Sequence, residues 1–282
     1  MTSWRWHLAH GRHLELGETS RVMGVLNVTP DSFSDGGRFD SLGRAVEGAA
    51  RMAQEGAVIV DVGGESTRPG ATPVAPGVEQ ARVLPVIEAL AAAGDLLISI
   101  DTYHEETARL AIAAGAHIVN DVWGLQRESG IATVAAESGA GLVIMHTGRA
   151  RTKAADVIAD QLLFLRSSLE IAAQSSVALE QVVLDPGFGF GKEPEENLQI
   201  MARFAELQQL GFPLLVGTSR KRFLGDITGR EVHQRDAATA ATSVLLRLAG
   251  AAIFRVHDVA TNVDALAVAD AVLARTTSAS RE

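Results

Sequence analysis

Short apolar runs rich in valine and isoleucine recur along the chain, at 22–28, 57–62, 97–100, 118–122, 142–145, 182–184, 214–216 and 253–256. Each is near-continuously apolar rather than alternating, which is the pattern of a parallel strand covered on both faces. Between them lie Ala-, Leu- and Glu-rich stretches with helical spacing, among them 44–55, 78–92, 105–113, 156–174, 195–210 and 236–248. Gly56, Gly94, Gly115, Gly211 and Gly250 stand just past helix ends, where a residue with positive φ closes the last turn. Eight strand–helix repeats at roughly 30-residue spacing predict an α/β fold, a (β/α)8 TIM barrel. A doubly wound open sheet uses the same unit, but no dinucleotide fingerprint opens the first helix. Residues 1–20 read as an N-terminal extension, a weakly alternating hairpin turning at Gly11 and covering the barrel bottom. Residues 21–276 read as one barrel domain and 277–282 as a tail.

In a barrel the C-terminal strand ends line one mouth, where active sites sit. Here those ends carry Asn27, Asp61, Asp101, Asn120, His146, Asp185, Ser219 with Lys221, and Arg255 with His257. A full ring of polar and charged groups costs desolvation and needs a purpose. Thr102, Asp121 and Asp258 read as caps or supports rather than ligand contacts.

Val25-Leu26-Asn27-Val28-Thr29-Pro30-Asp31-Ser32-Phe33-Ser34-Asp35-Gly36-Gly37 resembles the first signature of the dihydropteroate synthase family. Asp61-Val62-Gly63-Gly64-Glu65-Ser66-Thr67-Arg68-Pro69-Gly70 resembles the second. Ser99-Ile100-Asp101-Thr102, Asn120-Asp121-Val122, Asp185-Pro186-Gly187-Phe188-Gly189-Phe190-Gly191-Lys192, Ser219-Arg220-Lys221 and Arg255-Val256-His257 follow in the family's order. The segment after His146 departs from it, reading Thr147-Gly148-Arg149-Ala150-Arg151-Thr152-Lys153.

The resemblance implies condensation of a dihydropterin methyl diphosphate with 4-aminobenzoate in folate biosynthesis, by a sulfonamide target. It implies pterin contacts at Asp101, Asn120, Met145, Asp185, Phe190, Lys221 and Arg255. The diphosphate falls to Asn27, Thr67, Arg68, Arg255 and His257, with Asn27 as the Mg2+ ligand. The benzoate falls to Phe33, Pro69, Lys221 and Arg222, with the two Gly-rich loops closing over it. It also implies a homodimer. The residue chemistry agrees. A carboxylate such as Asp185 accepts the pterin's paired amino and ring N–H groups. Arg255 and His257, two apart, share a strand face. Magnesium keeps several waters and bridges phosphate oxygens, so one protein oxygen suffices; taken alone, Asn27 reads as a strand-end cap. Residues 219–222 are read as opening a helix whose N–H groups suit the benzoate carboxylate.

Composition narrows the alternatives. The chain has 282 residues, a formal charge of −9 and no cysteine. The acidic balance disfavours a general nucleic-acid binder. The lack of cysteine removes disulfides, thiolate nucleophiles and zinc–cysteine sites. No run approaches the roughly 18 apolar residues of a membrane span, and Trp4, Arg5, His7, His10 and Arg12 break any signal-peptide run, so the cytoplasm is expected. Gly187 to Lys192 matches neither phosphate-loop nor dinucleotide motif. Ser219 has no evident base partner in sequence, and His146 reads as structural. Two other readings are a folate-binding methyltransferase on the same barrel, needing a corrinoid protein partner, and a non-catalytic relative. The first gives no reason for Lys221, Arg255 and His257 around a diphosphate; the second should have lost Asn27 or Lys221.

Overall fold

The structure, a computed structural model, describes residues 3–29, 38–65, 74–94 and 96–279. A hairpin comes first, β1 (Trp4–His7) and β2 (His13–Leu16), paired antiparallel. Eight parallel strands follow: β3 (Arg21–Asn27), β4 (Ile59–Gly63), β5 (Leu97–Asp101), β6 (Ile118–Asp121), β7 (Gly141–Met145), β8 (Val182–Asp185), β9 (Leu215–Val216) and β10 (Ile253–Val256). They lie in the order β8-β7-β6-β5-β4-β3-β10-β9. A parallel bridge between Leu184 and Leu214 joins the two ends, backed by Leu184 N–H donating to the Pro213 carbonyl at 3.0 Å. That contact closes the sheet into a barrel and removes the open-sheet alternative. The surrounding helices are α1 (Arg38–Gln54), α2 (Pro76–Ala93), α3 (Glu105–Ala113), α4 (Gly130–Ser138), α5 (Val157–Gln174), α6 (Pro194–Ala202), α7 (Arg222–Thr228), α8 (Asp236–Leu248) and α9 (Val259–Ala279).

Strand parity explains both the unbroken apolar runs and the ring of polar residues. One set of alternate positions, including Leu26, Val60, Ile98, Val119, Leu142, Leu184, Val216 and Phe254, packs in one cluster with helix side chains. The other set faces the barrel interior. At the bottom it supplies Met23, Ile59, Leu97, Ile118, Val143, Val183, Leu215 and Ile253, one residue from each strand. Trp6, Leu8 and Leu16 of the hairpin segment close this layer from below. Trp6 is fully buried and its indole N–H donates to the Gln181 carbonyl at 2.7 Å. Two positions further along, the same interior parity gives Asp61, Ser99, Asn120, Met145, Asp185 and Arg255. An apolar floor thus carries a polar storey directly above it.

The expected elements differ from the observed ones mainly at short helices and ends. The stretch 195–210 divides at Arg203 into α6 and a 3-10 turn, Phe204–Leu210. Residues 219–221 do not open α7: the helix begins at Arg222 with Lys221 as its cap, and is only seven residues long. α9 continues through Ala279 rather than fraying at 277, and Thr276 Oγ1 donates to the Leu273 carbonyl within it. The glycines anticipated at helix ends do have positive φ; Gly94, at 82°, donates its N–H to Leu90 O at 3.2 Å. Phe33, Thr67, Arg68 and Pro69 lie outside the described residues.

One buried cation ties the chain's two ends together. Arg247 of α8 is 1 % exposed; its Nε donates to Asp270 of α9 at 2.5 Å, and its Nη2 to the carbonyls of Gly17 and Glu18 at 3.1 and 3.0 Å. Asp270 also accepts from Ser20 N and Oγ, both at 2.8 Å. Replacing Arg247 by methionine should therefore destabilise the fold by about 3 kcal/mol, the usual scale for stranding one member of a buried pair. Denaturant unfolding with an unchanged midpoint would contradict this.

Candidate active site

The mouth is organised by a chain of side chains from four strands. Asp61 on β4 is fully buried. Its Oδ2 accepts from Arg255 Nε on β10 at 2.6 Å and from Asn120 Nδ2 on β6 at 3.0 Å. The same guanidinium continues through Nη2 to Asp101 Oδ2 on β5 at 2.7 Å. Burial pushes the Asp101 carboxyl upward, and Arg255 opposes that push. Arg255 is held above its ordinary value by Asp61 and Asp101 against the effect of burial. Two polar atoms beneath this chain, Asp61 Oδ1 and Ser99 Oγ, are buried without a hydrogen-bond partner among the described residues.

A second group borders it. Asp185 ends β8, and its Oδ1 accepts the Gly187 N–H at 2.6 Å. Burial raises this carboxyl, while that N–H and the Lys221 ammonium oppose it. Burial in turn lowers Lys221, with Asp185 opposing. Lys221 Nζ donates to the Phe188 carbonyl and stands 4.0 Å from the Phe190 ring centroid. Met145 and Phe190 form an apolar patch with Tyr103, Val122 and Trp123. Asp101, Asn120, Met145, Asp185, Phe190, Lys221 and Arg255 thus share one mouth. Arg222 is not drawn into it: its side chain is 90 % exposed, 3.9 Å from Asp226.

His257 follows Arg255 at the same parity. Contrary to the sequence reading, Ser219 has a base beside it: its Oγ lies 3.0 Å from His257 Nδ1. The supporting residues behave as caps. Asp121 accepts from Trp123 N at 2.8 Å and Leu125 N at 2.6 Å, Asp258 accepts from Thr261 N at 3.1 Å, and Thr102 Oγ1 donates to Glu79 at 3.1 Å. His146 is structural. It is buried, its Nε2 is 3.0 Å from Asp160, and burial pushes its pKa down to about 3.

Several contributors escape sequence reading. Lys192 donates to the Gly187 carbonyl at 2.8 Å and the Phe190 carbonyl at 3.3 Å, bracing the turn that carries Phe190. Its Nζ is held by these backbone carbonyls. The divergent segment after His146 packs backbone to backbone on that turn. Gly148 N–H donates to Phe190 O at 3.0 Å, and a Cβ on Gly191 would stand 2.6 Å from Arg149 N. This contact sets the Arg149 guanidinium 4.6 Å from the Phe190 ring centroid and 5.9 Å from that of Trp123. Only the departure from the family pattern marked the segment. Asp61 did leave a signal: a carboxylate between Val60 and Val62 in a buried strand requires a cation.

Asn27 ends β3 at the interior parity, beside Gly63. A Cβ on Gly63 would stand 3.7 Å from Asn27 Oδ1 and 3.7 Å from Asp101 Cβ, so the missing side chain keeps the approach open. Among the described residues no group of three His, Cys, Asp or Glu side chains could hold a metal by itself. One neutral oxygen donor fits a magnesium ion whose other ligands are phosphate oxygens and water.

The family model for pterin binding enzymes matches residues 23–257. The dihydropteroate synthase of Bacillus subtilis is 44% identical over 246 residues, 87% of this chain and 86% of that protein. The Xanthomonas albilineans dihydropteroate synthase solved with 4-aminobenzoic acid superposes with a TM-score of 0.91 at 44% identity, over 97% of this chain and 99% of that one. The Clostridium difficile dihydropteroate synthase solved with pteroic acid gives 0.89 at 44%, over 91% and 98%. This chain belongs to the dihydropteroate synthase family of pterin binding enzymes.

Proposed function

We propose that the mouth condenses (7,8-dihydropterin-6-yl)methyl diphosphate with 4-aminobenzoate to give 7,8-dihydropteroate and diphosphate. The observation that carries this reading is the convergence of Asp185, Asn120, Asp101 and Lys221 at one barrel mouth beside the Arg255 guanidinium. Asp185 accepts the pterin's paired donors, Asn120 and Asp101 meet the neighbouring ring edge, and Lys221 reaches the ring carbonyl. Met145 and Phe190 supply apolar walls. Arg255 and His257 face the diphosphate, joined by Thr67 and Arg68. Arg255 serves both substrate halves because two carboxylates fix its plane while other N–H groups of the fork remain for an anion.

The arylamine nitrogen of 4-aminobenzoate attacks the pterin methylene carbon. A C–N bond forms, the C–O bond breaks with its electron pair leaving on diphosphate, and the amine loses a proton. The protein's part is positioning and charge stabilisation, with no covalent intermediate. Asn27 would hold Mg2+, which when bound neutralises charge on the leaving group. Phe33, Pro69 and Lys221 are read as the benzoate side. The cytoplasm is the location the sequence reading expects, and by the resemblance the protein partner is a second copy of the chain. Apolar side chains left exposed on later helices, Leu245 and Leu248 of α8 and Val268 and Val272 of α9, support that partner.

Purified protein given both substrates and Mg2+ is expected to form dihydropteroate and release diphosphate, and chelation should suppress the reaction. Absence of product under those conditions would contradict the proposal. Asp185→Asn exchanges part of an acceptor pair for a donor facing donors. It should weaken pterin binding by about 2–3 kcal/mol. Calorimetric titration checks this, and unchanged affinity would mean another group reads that edge.

A further inference from the structure

A cavity of about 200 Å3 opens at the end of the barrel opposite the mouth. Its walls come from the turn of the N-terminal hairpin, the last turn of α2, and the residues just before β5 and β6. A single water needs roughly 10–15 Å3, so the space suits a small ligand. Ala91 and Leu96 supply apolar wall. Among the described lining residues, the ionisable ones are His10, Arg12 and His117.

His117 is 7 % exposed, and its Nδ1 accepts the Ile98 backbone N–H at 3.0 Å. That lone pair is taken, so the neutral ring carries its proton on Nε2. Burial, with Arg12 and His10 nearby, pushes the His117 pKa down to about 4, which keeps the ring neutral near pH 7. Nε2 makes no hydrogen bond among the described residues, yet it is not sealed from solvent. The strand thus fixes one nitrogen and leaves the other as an N–H donor at the cavity wall. The Arg12 side chain likewise makes no hydrogen bond or ion pair among the described residues. The carboxyl-terminal end of a helix attracts cations, and α3 ends here, but His10 already answers it. With φ +59°, His10 brings Nε2 to 3.1 Å from the carbonyl oxygens of both Ile112 and Ala116. Arg12 and the His117 N–H are not engaged by those carbonyls, and neither finds an acceptor among the described residues.

We propose that this cavity is a second binding site, for a small carboxylate with an apolar body, whose oxygens accept from the Arg12 guanidinium and the His117 Nε2–H. A carboxylate has acceptor sites for both donors, and the Arg12 charge offsets its removal from water. Ala91 and Leu96 give the apolar part of the ligand a wall that a bare inorganic anion would not use. The site stands apart from the strand-end ring and does not rest on the function proposed above.

Long-range 15N–1H correlation spectra of the full-length protein near neutral pH read the His117 ring directly, with its signals identified by their loss in His117→Gln. If that variant does not fold, the backbone amide signals of Arg12 and Leu96 report the same titration. Sodium benzoate should move the Nε2 signal along a saturating curve. Benzyl alcohol, which keeps the apolar body and lacks the charge, should leave it in place, and inorganic phosphate should bind more weakly than benzoate. Because the signals belong to the barrel bottom, benzoate bound at the mouth does not enter the reading. Arg12→Gln should bind benzoate about tenfold more weakly at this site, the scale of a lost hydrogen bond to a charged group. The same variant should make dihydropteroate at the parent's rate. A shift that grows linearly and alike with every salt means an adventitious ion only and overturns the site. Phosphate binding as tightly as benzoate overturns the apolar body, and unchanged benzoate affinity in Arg12→Gln overturns the carboxylate contact. A parent protein that makes no dihydropteroate contradicts the proposed function, while the His117 titration still decides this site.

Discussion

Asp61 is a wholly buried carboxylate on β4, and Arg255 Nε approaches its Oδ2 to 2.6 Å. A charge in that position is tolerable only when paired, and removing one partner of such a pair typically costs about 3–5 kcal/mol. Much of the mouth follows from meeting this requirement. Because Asp61 takes Nε, the guanidinium plane is fixed and Nη2 is delivered to Asp101. Because Oδ2 also accepts from Asn120, that amide presents its nitrogen to Asp61. Asp61 thereby orients three residues read as pterin or diphosphate contacts, Arg255, Asp101 and Asn120, without being assigned to the substrate itself.

The pair can exist only because of the layer below. Eight interior side chains, one per strand, form an apolar floor sealed by Trp6, Leu8 and Leu16. Closing the bottom excludes water from that side, which strengthens the electrostatics above it. The opposite parity is occupied by the contact with the helices, so the interior positions near the strand ends are the places where the strands can afford polarity. Binding groups built on strands are held more rigidly than groups built on loops. That rigidity suits a reaction in which the protein contributes positioning and field rather than a nucleophile.

Strand number, strand positions and the polar ring were legible in the sequence because they depend on local apolar runs and a two-residue period. α4 was not, since nine residues starting with glycine carry too little helical periodicity, while α7 was read as opening at 219–222 and starts only at Arg222. Asn27, Asp101, Asn120, Asp185, Lys221, Arg255 and His257 were found by strand-end position and family motif, but their mutual contacts depend on barrel closure, which no local pattern encodes. The Ser219–His257 contact spans 38 residues and the Asp61–Arg255 contact 194. The place of Arg149 at the mouth depends on a glycine-to-glycine approach between two loops, and Arg222 lies outside the mouth because α7 begins later than its sequence suggests.

The central claim is that Asp61 shapes the pterin pocket at a distance, by fixing Arg255 and Asn120. Calorimetric titration of a dihydropterin into Asp61→Asn, in protein whose thermal transition confirms folding, tests it directly. The account predicts affinity at least about tenfold weaker than the parent's, since both orienting contacts lose their charge. Affinity equal to the parent's would show that Arg255 and Asn120 keep their places without the Asp61 charge, and would contradict the account.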